Sequence, residues 1–224
     1  MTQDNQNAVS SHIKRRGFML VLSSPSGAGK TAISRHILNT QQDISLSISV
    51  TTRKARPGEV NGRDYWFVDE PTFEGMVQRN EFLEHARFCG NSYGTPREPV
   101  RRALEDGKDI LFDIEWQGTQ QIAENAREDL VTVFILPPSM KELERRLFSR
   151  AQDSEETVRK RMSIAAAEMS HWNEYDYVII NENFEESVKN VESIIFAERI
   201  KRNRQVGLAG FVNAMRLSEE ENYK

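Results

Sequence analysis

The sequence is poor in the features that mark secreted, membrane-embedded and disulfide-stabilised proteins. Its one cysteine, Cys89, excludes an intramolecular disulfide. Its longest uninterrupted apolar run, Phe18 to Leu22, is far shorter than the roughly 20 residues that a membrane-spanning helix needs. The N-terminal stretch lacks the apolar core of a signal peptide. We therefore expect a soluble cytoplasmic protein without a membrane segment.

Neither sign of charge is in large excess. The 224 residues include 30 Lys and Arg against 34 Asp and Glu, which gives a formal net charge of −4. This balance gives no reason to expect a nucleic-acid partner or a membrane surface, although local basic clusters could still bind a small anion. The length suits one globular domain, or one domain with an inserted subdomain.

Short β-type runs alternate with helical segments from Gly17 onward, which predicts an α/β fold with a parallel sheet wrapped by helices. Predicted helices are Lys30 to Leu38, which has one apolar side, a charged helix that the capping box at Ser139 opens, and two helices whose apolar stripes begin at Val158 and Phe184. The predicted strands are Phe18–Leu22, Asp109–Ile114, Leu130–Leu136 and Tyr177–Asn181.

The segment from Ser49 to Thr95 interrupts this alternation. Two strand-like pieces, Tyr65–Val68 and Phe82–Phe88, flank a short helix after Pro71. We interpret the segment as an inserted small α+β lobe.

A phosphate-binding loop follows the first predicted strand. The run Ser23-Ser-Pro-Ser-Gly-Ala-Gly-Lys-Thr31 is close to the pattern G-x-x-x-x-G-K-[ST], with Ser24 in place of the first glycine. Such a loop curls backbone N–H groups around phosphates, its Lys reaches the terminal phosphates, and its Thr hydroxyl can hold Mg²⁺. The predicted ATP-binding residues are Ser24, Pro25, Ser26, Gly27, Ala28, Gly29, Lys30 and Thr31.

A second candidate anion site follows in the inserted lobe. Arg53 and Arg56 precede Tyr65, so two guanidinium groups and a phenol could hold another phosphate. As a bare charge cluster, the same residues fit a solvated loop.

The run Thr52 to Val68 resembles the signature of guanylate kinases, which phosphorylate GMP with ATP. The resemblance covers nearly the whole chain from Gly17 to about Arg204. Further runs resemble family blocks in family order: Asn80-Glu-Phe-Leu-Glu-His-Ala86, Asn91-Ser-Tyr-Gly-Thr95, Leu111-Phe-Asp-Ile-Glu-Trp-Gln-Gly118 and Leu143-Glu-Arg-Arg-Leu-Phe-Ser-Arg150.

The resemblance implies a GMP pocket. Its phosphate would be held by Arg53, Arg56, Tyr65 and Tyr93. Glu84 would accept both N–H groups of guanine, a donor pair that adenine lacks. The pocket residues implied are Ser49, Arg53, Arg56, Tyr65, Glu84, Tyr93, Thr95 and Asp113. From the residues alone, Glu84 also fits a surface strand, and Thr95-Pro-Arg-Glu98 also fits a helix-capping box.

Asp113 ends a predicted strand at the carboxyl edge of the sheet, where open α/β folds bind ligands. It is predicted to hold Mg²⁺ together with Thr31, or to lie near the acceptor, and Glu115 is the alternative for the metal.

The arginine-rich stretch after Ser139 resembles the family's lid over ATP, with Arg146, Arg150 and Arg161 as the phosphate-contacting arginines beside catalytic Lys30. Without the resemblance, this stretch fits a surface face of salt bridges.

The resemblance implies in-line phosphoryl transfer from MgATP to GMP, and to dGMP, without a covalent intermediate. Two other functions stay open. Guanylate-kinase-like domains also serve as protein-binding scaffolds, which tend to lack the phosphate loop or the lid arginines, and a related kinase could use another acceptor.

These interpretations divide the chain. Residues 1–16 are expected to be a disordered tail, 17–205 the kinase-like domain, and 206–224 a C-terminal tail. The domain comprises a core (17–48, 96–140 and 172–205), a GMP-binding lobe (49–95) and a lid (141–171). The sequence leaves the oligomeric state open, a homodimer included.

Overall fold

The computed structural model describes residues 13–149 and 155–222. In these residues the strands are β1 (Met19–Ser23), β2 (Ile44–Leu46), β3 (Val50–Thr51), β4 (Trp66–Phe67), β5 (Phe82–Phe88), β6 (Asn91–Pro96), β7 (Asp109–Phe112), β8 (Leu130–Leu136) and β9 (Tyr177–Ile180). The α-helices are α1 (Lys30–Thr40), α2 (Glu70–Gln78), α3 (Arg97–Glu105), α4 (Trp116–Ala126), α5 (Met140–Ser149), α6 (Glu155–Met169), α7 (Phe184–Arg199) and α8 (Leu208–Asn222).

A parallel sheet forms the centre of the molecule, with the strand order β2-β7-β1-β8-β9. All five residues of β1 are buried, since helices cover both faces of the sheet. Leu20 and Leu22 pack in the core cluster that includes residues of α1 and α7, while Met19 and Val21 pack in the cluster that includes residues of α3 and α4. The predicted α/β class is confirmed.

The predicted strands of this sheet match the structure to within one or two residues at their ends. Strand β2 was missed, because only Ile44 of its three residues is buried and the strand therefore lacks an apolar run. Its register with β7 pairs Ile44 with Asp109.

The inserted segment forms a second sheet with the order β4-β3-β6-β5. Helix α2 packs on this sheet, and Val50, Phe73 and Phe82 make a small separate core. Asp69 caps α2 by accepting a hydrogen bond from the Thr72 backbone N–H. The predicted α+β lobe is confirmed.

Helices α5 and α6 make a helical pair with its own core of Leu143, Leu147, Val158 and Ala165. The Ser139 hydroxyl accepts from the Glu142 backbone N–H and starts α5, as predicted. Between the two helices, residues 150–154 lie outside the described part of the chain, and so does Arg150, one of the predicted lid arginines.

Ordered contacts begin before Gly17, the predicted start of the folded chain. Arg15 pairs with Asp109, Arg16 pairs with Asp129, and the Arg16 backbone N–H donates to the Arg204 carbonyl. Residues 1–12 of the predicted tail lie outside the described residues, and α8 occupies most of the predicted C-terminal tail. No helix in the described ranges has the length and apolarity to cross a membrane.

Candidate active site

The phosphate-binding loop joins β1 to α1 as predicted. Gly27 and Gly29 adopt positive φ angles of 95° and 112°, which curl the loop. Gly29 is the N-cap of α1, and no side chain caps this helix end, so its N–H groups face the loop. A cavity of about 210 Å³ lies here, lined by Ser24, Ser26, Gly27, Gly29, Lys30, Thr31, Glu115 and Glu168. The positive end of α1 makes this cavity suitable for phosphate groups.

Asn181 supports the loop from the end of β9. Its side-chain amide donates to the Ala28 carbonyl at 2.7 Å and accepts from the Ser187 hydroxyl at 3.0 Å. A Cβ atom on Gly29 would lie 2.3 Å from the Asn181 amide nitrogen, so only glycine fits there. The sequence did not predict this role, because Asn181 follows β9, more than 150 positions after the loop.

Lys30 and Asp113 meet at the carboxyl edge of the sheet. Strands β1 and β7 are neighbours and run parallel, so the residues that follow them lie side by side. The Lys30 ammonium lies 2.5 Å from an Asp113 carboxylate oxygen. Glu115, which immediately precedes α4, lines the phosphate cavity.

These oxygen donors suit a magnesium ion that is bound together with nucleotide phosphates. Thr31 and Glu115 line the cavity, and Asp113 contacts the neighbouring Lys30. Among the described residues there is no cluster of three or more His, Cys, Asp or Glu that could hold a metal alone. Mg²⁺ needs no such cluster, because it usually takes one or two protein ligands with water and phosphate oxygens.

Glu168 is a cavity residue that the sequence did not predict. It lies on α6, and its carboxylate accepts a hydrogen bond from the Ser26 backbone N–H at 3.3 Å. Burial raises the pKa of Glu168, the Ser26 hydrogen bond opposes this, and the nearby Glu115 raises it further. No local motif marks the residue, since the contact spans 142 positions of the chain.

Arg146 reaches the phosphate loop from α5. Its guanidinium donates to the Ala28 carbonyl at 3.4 Å and to the Asn181 carbonyl at 3.0 Å. Glu142 accepts from Arg145 and Arg146, and these hydrogen bonds lower the pKa of Glu142 to about 2. The Arg146 side chain is 22% exposed and that of Arg145 is 69% exposed. Of the two, Arg146 donates hydrogen bonds on the side of the loop, whereas Arg145 donates to Glu142. The third predicted lid arginine, Arg161, lies half-buried on α6.

The predicted base-reading residues lie together on the inserted lobe. Glu84 on β5 pairs in register with Thr95 on β6, whose hydroxyl donates to the Glu84 carboxylate at 2.7 Å. The Ser49 hydroxyl lies 3.5 Å from the Thr95 hydroxyl. Glu84 is buried rather than on the surface, and this burial raises its pKa, although the hydrogen bonds from Thr95 oppose the shift.

The capping role that Thr95 could have served is not observed. Pro96 is the N-cap of α3, and no side chain caps the helix. Glu98 pairs with Arg101 and Arg102 instead of turning back to the helix start. The Thr95 hydroxyl therefore serves Glu84.

Arg53, Tyr65 and Tyr93 form a second cluster on the lobe. The Arg53 guanidinium carbon lies 5.3 Å from the Tyr65 ring centroid, and the Tyr65 and Tyr93 centroids are 6.2 Å apart. Glu59, which was not among the predicted site residues, orients Arg53 through an ion pair of 2.8 Å and accepts from the Arg56 backbone N–H. The hydrogen bond from Arg53 is the main cause that lowers the pKa of Glu59, and the hydrogen bond from the Arg56 backbone lowers it further. The Arg56 residue itself is exposed.

Comparison with known proteins identifies one family. The family model described as guanylate kinase matches residues 16–198. Two curated relatives are named guanylate kinase. The one from Paramagnetospirillum magneticum is 60% identical over 92% of this chain and 97% of its own length. The one from Bradyrhizobium diazoefficiens is 59% identical over 91% of this chain and 93% of its own length. A crystal structure of guanylate kinase from Anaplasma phagocytophilum matches 90% of this chain and 96% of its own, with 40% identity and a TM-score of 0.69.

Proposed function

The chain belongs to the guanylate kinase family, and from this membership we propose which residues carry out its reaction. Its activity is the ATP-dependent phosphorylation of GMP to GDP, as relatives 59% and 60% identical over more than nine-tenths of the chain indicate. The presence of a single cysteine, which leaves no pair for a disulfide, and the use of ATP and GMP as substrates favour a cytoplasmic location.

One helix links the two candidate substrate sites, and this observation supports the assignment best. Glu115, immediately before α4, lines the phosphate cavity. Three residues later, Gly118 lies against Glu84, since a Cβ atom at Gly118 would be 3.4 Å from the Glu84 carboxylate. One turn of helix rises about 5.4 Å, so α4 brings the base-reading residues close to the phosphate loop.

In the proposed assignment, ATP binds at the phosphate loop, residues 24–31, with Lys30 on its terminal phosphates. Arg146, Arg150 and Arg161 neutralise the charge that spreads over the transferring phosphoryl group. Arg146 is suited to this role, because it already contacts the Ala28 carbonyl of the loop. Residues 141–171 would act as the lid that excludes water from the reaction.

The acceptor GMP is assigned to the inserted lobe. Arg53, Arg56, Tyr65 and Tyr93 would hold its phosphate. Glu84 would accept two N–H groups of guanine, with Thr95 and Ser49 beside it. Adenine lacks this donor pair, and a buried carboxylate without partners is costly, so the pocket would select GMP over AMP. dGMP presents the same base and should also be used.

Mg²⁺ would be held by the Thr31 hydroxyl and by Asp113, with Glu115 as the alternative carboxylate. When bound, the ion neutralises charge on the phosphate oxygens. The protein needs no general base, because the GMP phosphate is already ionised near neutral pH. Lys30 and the arginines hold donor and acceptor phosphates in line, and catalysis follows from positioning and charge neutralisation.

A coupled assay with GMP, dGMP, AMP, CMP and UMP tests this proposal. We expect turnover with GMP and dGMP, and a preference for GMP over AMP of at least about 10⁴-fold in kcat/KM. Glu84→Gln should lose most of its GMP use, because the amide presents an N–H group where guanine also donates.

Three outcomes would contradict the assignment. Unchanged discrimination between GMP and AMP in Glu84→Gln would remove Glu84 from the base contact. Binding of ATP without turnover of any monophosphate would favour the scaffold function, and turnover of a different monophosphate would favour the related kinase.

A further inference from the structure

Strand β5, which carries Glu84, lies at the edge of the inserted sheet. Its inner side pairs with β6, but its outer side has no neighbouring strand among the described residues. An edge strand leaves alternate backbone N–H and C=O groups without ladder partners, and it is less constrained than an inner strand. Glu84 therefore depends on other contacts for a fixed position.

Side-chain amides of α4 supply these contacts. The Gln121 side-chain oxygen accepts from the His85 backbone N–H at 2.9 Å, and its nitrogen donates to the His85 carbonyl at 3.1 Å. Asn125, one turn later, donates to the Leu83 carbonyl at 3.1 Å. The two amides thus bind the backbone on both sides of Glu84.

We propose that Gln121 is a positioning residue for guanine recognition, because it fixes the β5 backbone beside Glu84 to the core helix α4. The inference rests on the proposed role of Glu84. A carboxamide carries an acceptor oxygen and a donor nitrogen side by side, so it can accept from the N–H and donate to the C=O of one residue at the same time. The strand also contains a bulge between Phe82 and Glu84, which leaves the register at Glu84 less constrained by β6 alone.

Two further contacts bear on the same position. Gly118, three residues before Gln121 on α4, backs the Glu84 carboxylate. Thr95 donates to the opposite carboxylate oxygen at 2.7 Å. With Gln121 holding the adjacent backbone, the free carboxylate lone pairs have a defined direction toward the base.

The experiment compares Gln121→Met, which keeps side-chain length but removes both hydrogen bonds, with Gln120→Met as the matched control. Gln120 is the neighbouring exposed residue and bonds to Glu174, away from β5. We expect Gln121→Met to raise KM for GMP about tenfold, because two positioning hydrogen bonds are lost. KM for ATP should stay within about twofold of the wild-type value, and kcat at saturation should be nearly unchanged. Discrimination between GMP and AMP should fall by a similar factor.

KM does not depend on the fraction of folded enzyme, so a loss of stability alone would not produce this pattern. An equal KM for GMP in Gln121→Met and Gln120→Met would overturn the proposal, and so would parallel rises in KM for GMP and ATP. Combining Gln121→Met with Glu84→Gln should add little to the single Glu84 change, because both act on one contact.

The same series separates this inference from the proposed function. If Glu84→Gln impairs GMP use while Gln121→Met does not, Gln121 has no positioning role and the base contact stands. If Glu84→Gln leaves GMP use intact, the base contact itself is wrong, and the role inferred for Gln121 fails with it.

Discussion

The ammonium group of Lys30 lies 2.5 Å from the Asp113 carboxylate, although 83 positions separate the two residues in sequence. The contact exists because Lys30 opens the helix after β1, Asp113 follows β7, and these strands are parallel neighbours. The carboxylate is a negative partner for the Lys30 ammonium, and the terminal phosphates of ATP would be another in the proposed assignment.

Lys30→Ala should therefore abolish turnover without unfolding the protein. The Lys30 side chain lies in the phosphate cavity rather than in a hydrophobic core. We expect kcat to fall at least about 10³-fold, since electrostatic stabilisation of the transferring group is lost. Lys189→Ala, on the exposed face of α7, is the control. Steady-state kinetics and circular dichroism measure the two effects, and near-normal turnover would contradict the proposed role of Lys30.

Adjacent arginines on α5 should differ sharply in their effect on catalysis. Arg146 contacts the phosphate loop, whereas Arg145 pairs with Glu142 on the exposed face. We expect Arg146→Ala to lower kcat/KM for ATP about 10²-fold and Arg145→Ala to leave it within about twofold. Equal effects of the two substitutions would show that the orientation of Arg146 toward the loop has no catalytic importance.

Contiguous motifs made much of this molecule predictable. The phosphate loop, the inserted lobe and the neighbourhood of Glu84 with Thr95 followed from residues close in sequence or from family blocks. Asn181, Glu168 and Gln121 were not predicted, since each acts on a backbone group that tertiary folding brings near from a distant segment. In the sequence, an Asn, Gln or Glu that makes such a contact looks the same as one whose side chain is solvated.

Glu84→Gln should stabilise the fold near neutral pH. Burial raises the pKa of Glu84. An acid whose pKa is higher in the folded than in the unfolded state binds its proton more tightly in the folded protein. Its contribution to stability is therefore fully present at pH values below the unfolded-state pKa, and it is lost as the pH rises through the folded-state pKa. At pH 7.5 the ionised Glu84 thus lowers stability, and the neutral amide removes this effect.

Thermal unfolding at pH 7.5 and at about pH 4, near the ordinary glutamate pKa, measures this difference. Tm of Glu84→Gln should exceed that of the wild type at pH 7.5, and the gap should shrink at the lower pH. Glu124→Gln, at an exposed position of α4, should change Tm little at either pH. A lower Tm for Glu84→Gln at pH 7.5 would show that ionised Glu84 stabilises the fold.

Asp109→Asn should destabilise the protein far from the catalytic site. Asp109 is fully buried and pairs with Arg15 at 2.6 Å and Arg199 at 2.8 Å, so it joins the N-terminal segment and the end of α7 to β7. Removing one partner of a buried ion pair costs about 3–5 kcal/mol. For a chain of this size, we expect Tm to fall by roughly 10 °C.

Asp129→Asn is the comparison for Asp109→Asn, because the pair of Asp129 with Arg16 is more exposed. Its Tm should fall by less than half as much. At low temperature KM for ATP should stay normal in both variants. A smaller effect of Asp109→Asn than of Asp129→Asn would mean that Asp109 does not anchor the N-terminal segment and the end of α7 to the sheet.

Gly29→Ala should disrupt ATP binding for two separable reasons. Its φ of +112° is strained for any residue with a side chain, and the new Cβ would meet the Asn181 amide nitrogen at 2.3 Å. We expect KM for ATP to rise at least about tenfold, because the loop that cradles the phosphates must shift. Gly210→Ala on α8, where no atom lies within 4 Å of the added Cβ, should leave KM for ATP unchanged.

Asn181→Ala distinguishes the two causes. This substitution removes the amide that a Gly29 side chain would strike, and it also frees the Ala28 carbonyl from its 2.7 Å hydrogen bond. Asn181→Ala alone should raise KM for ATP, whereas adding it to Gly29→Ala should cost less than the sum of the two single effects, because the steric conflict is gone. Strict additivity of the two changes in log KM would mean that the backbone angle alone, and not the approach of Asn181, requires glycine at this position.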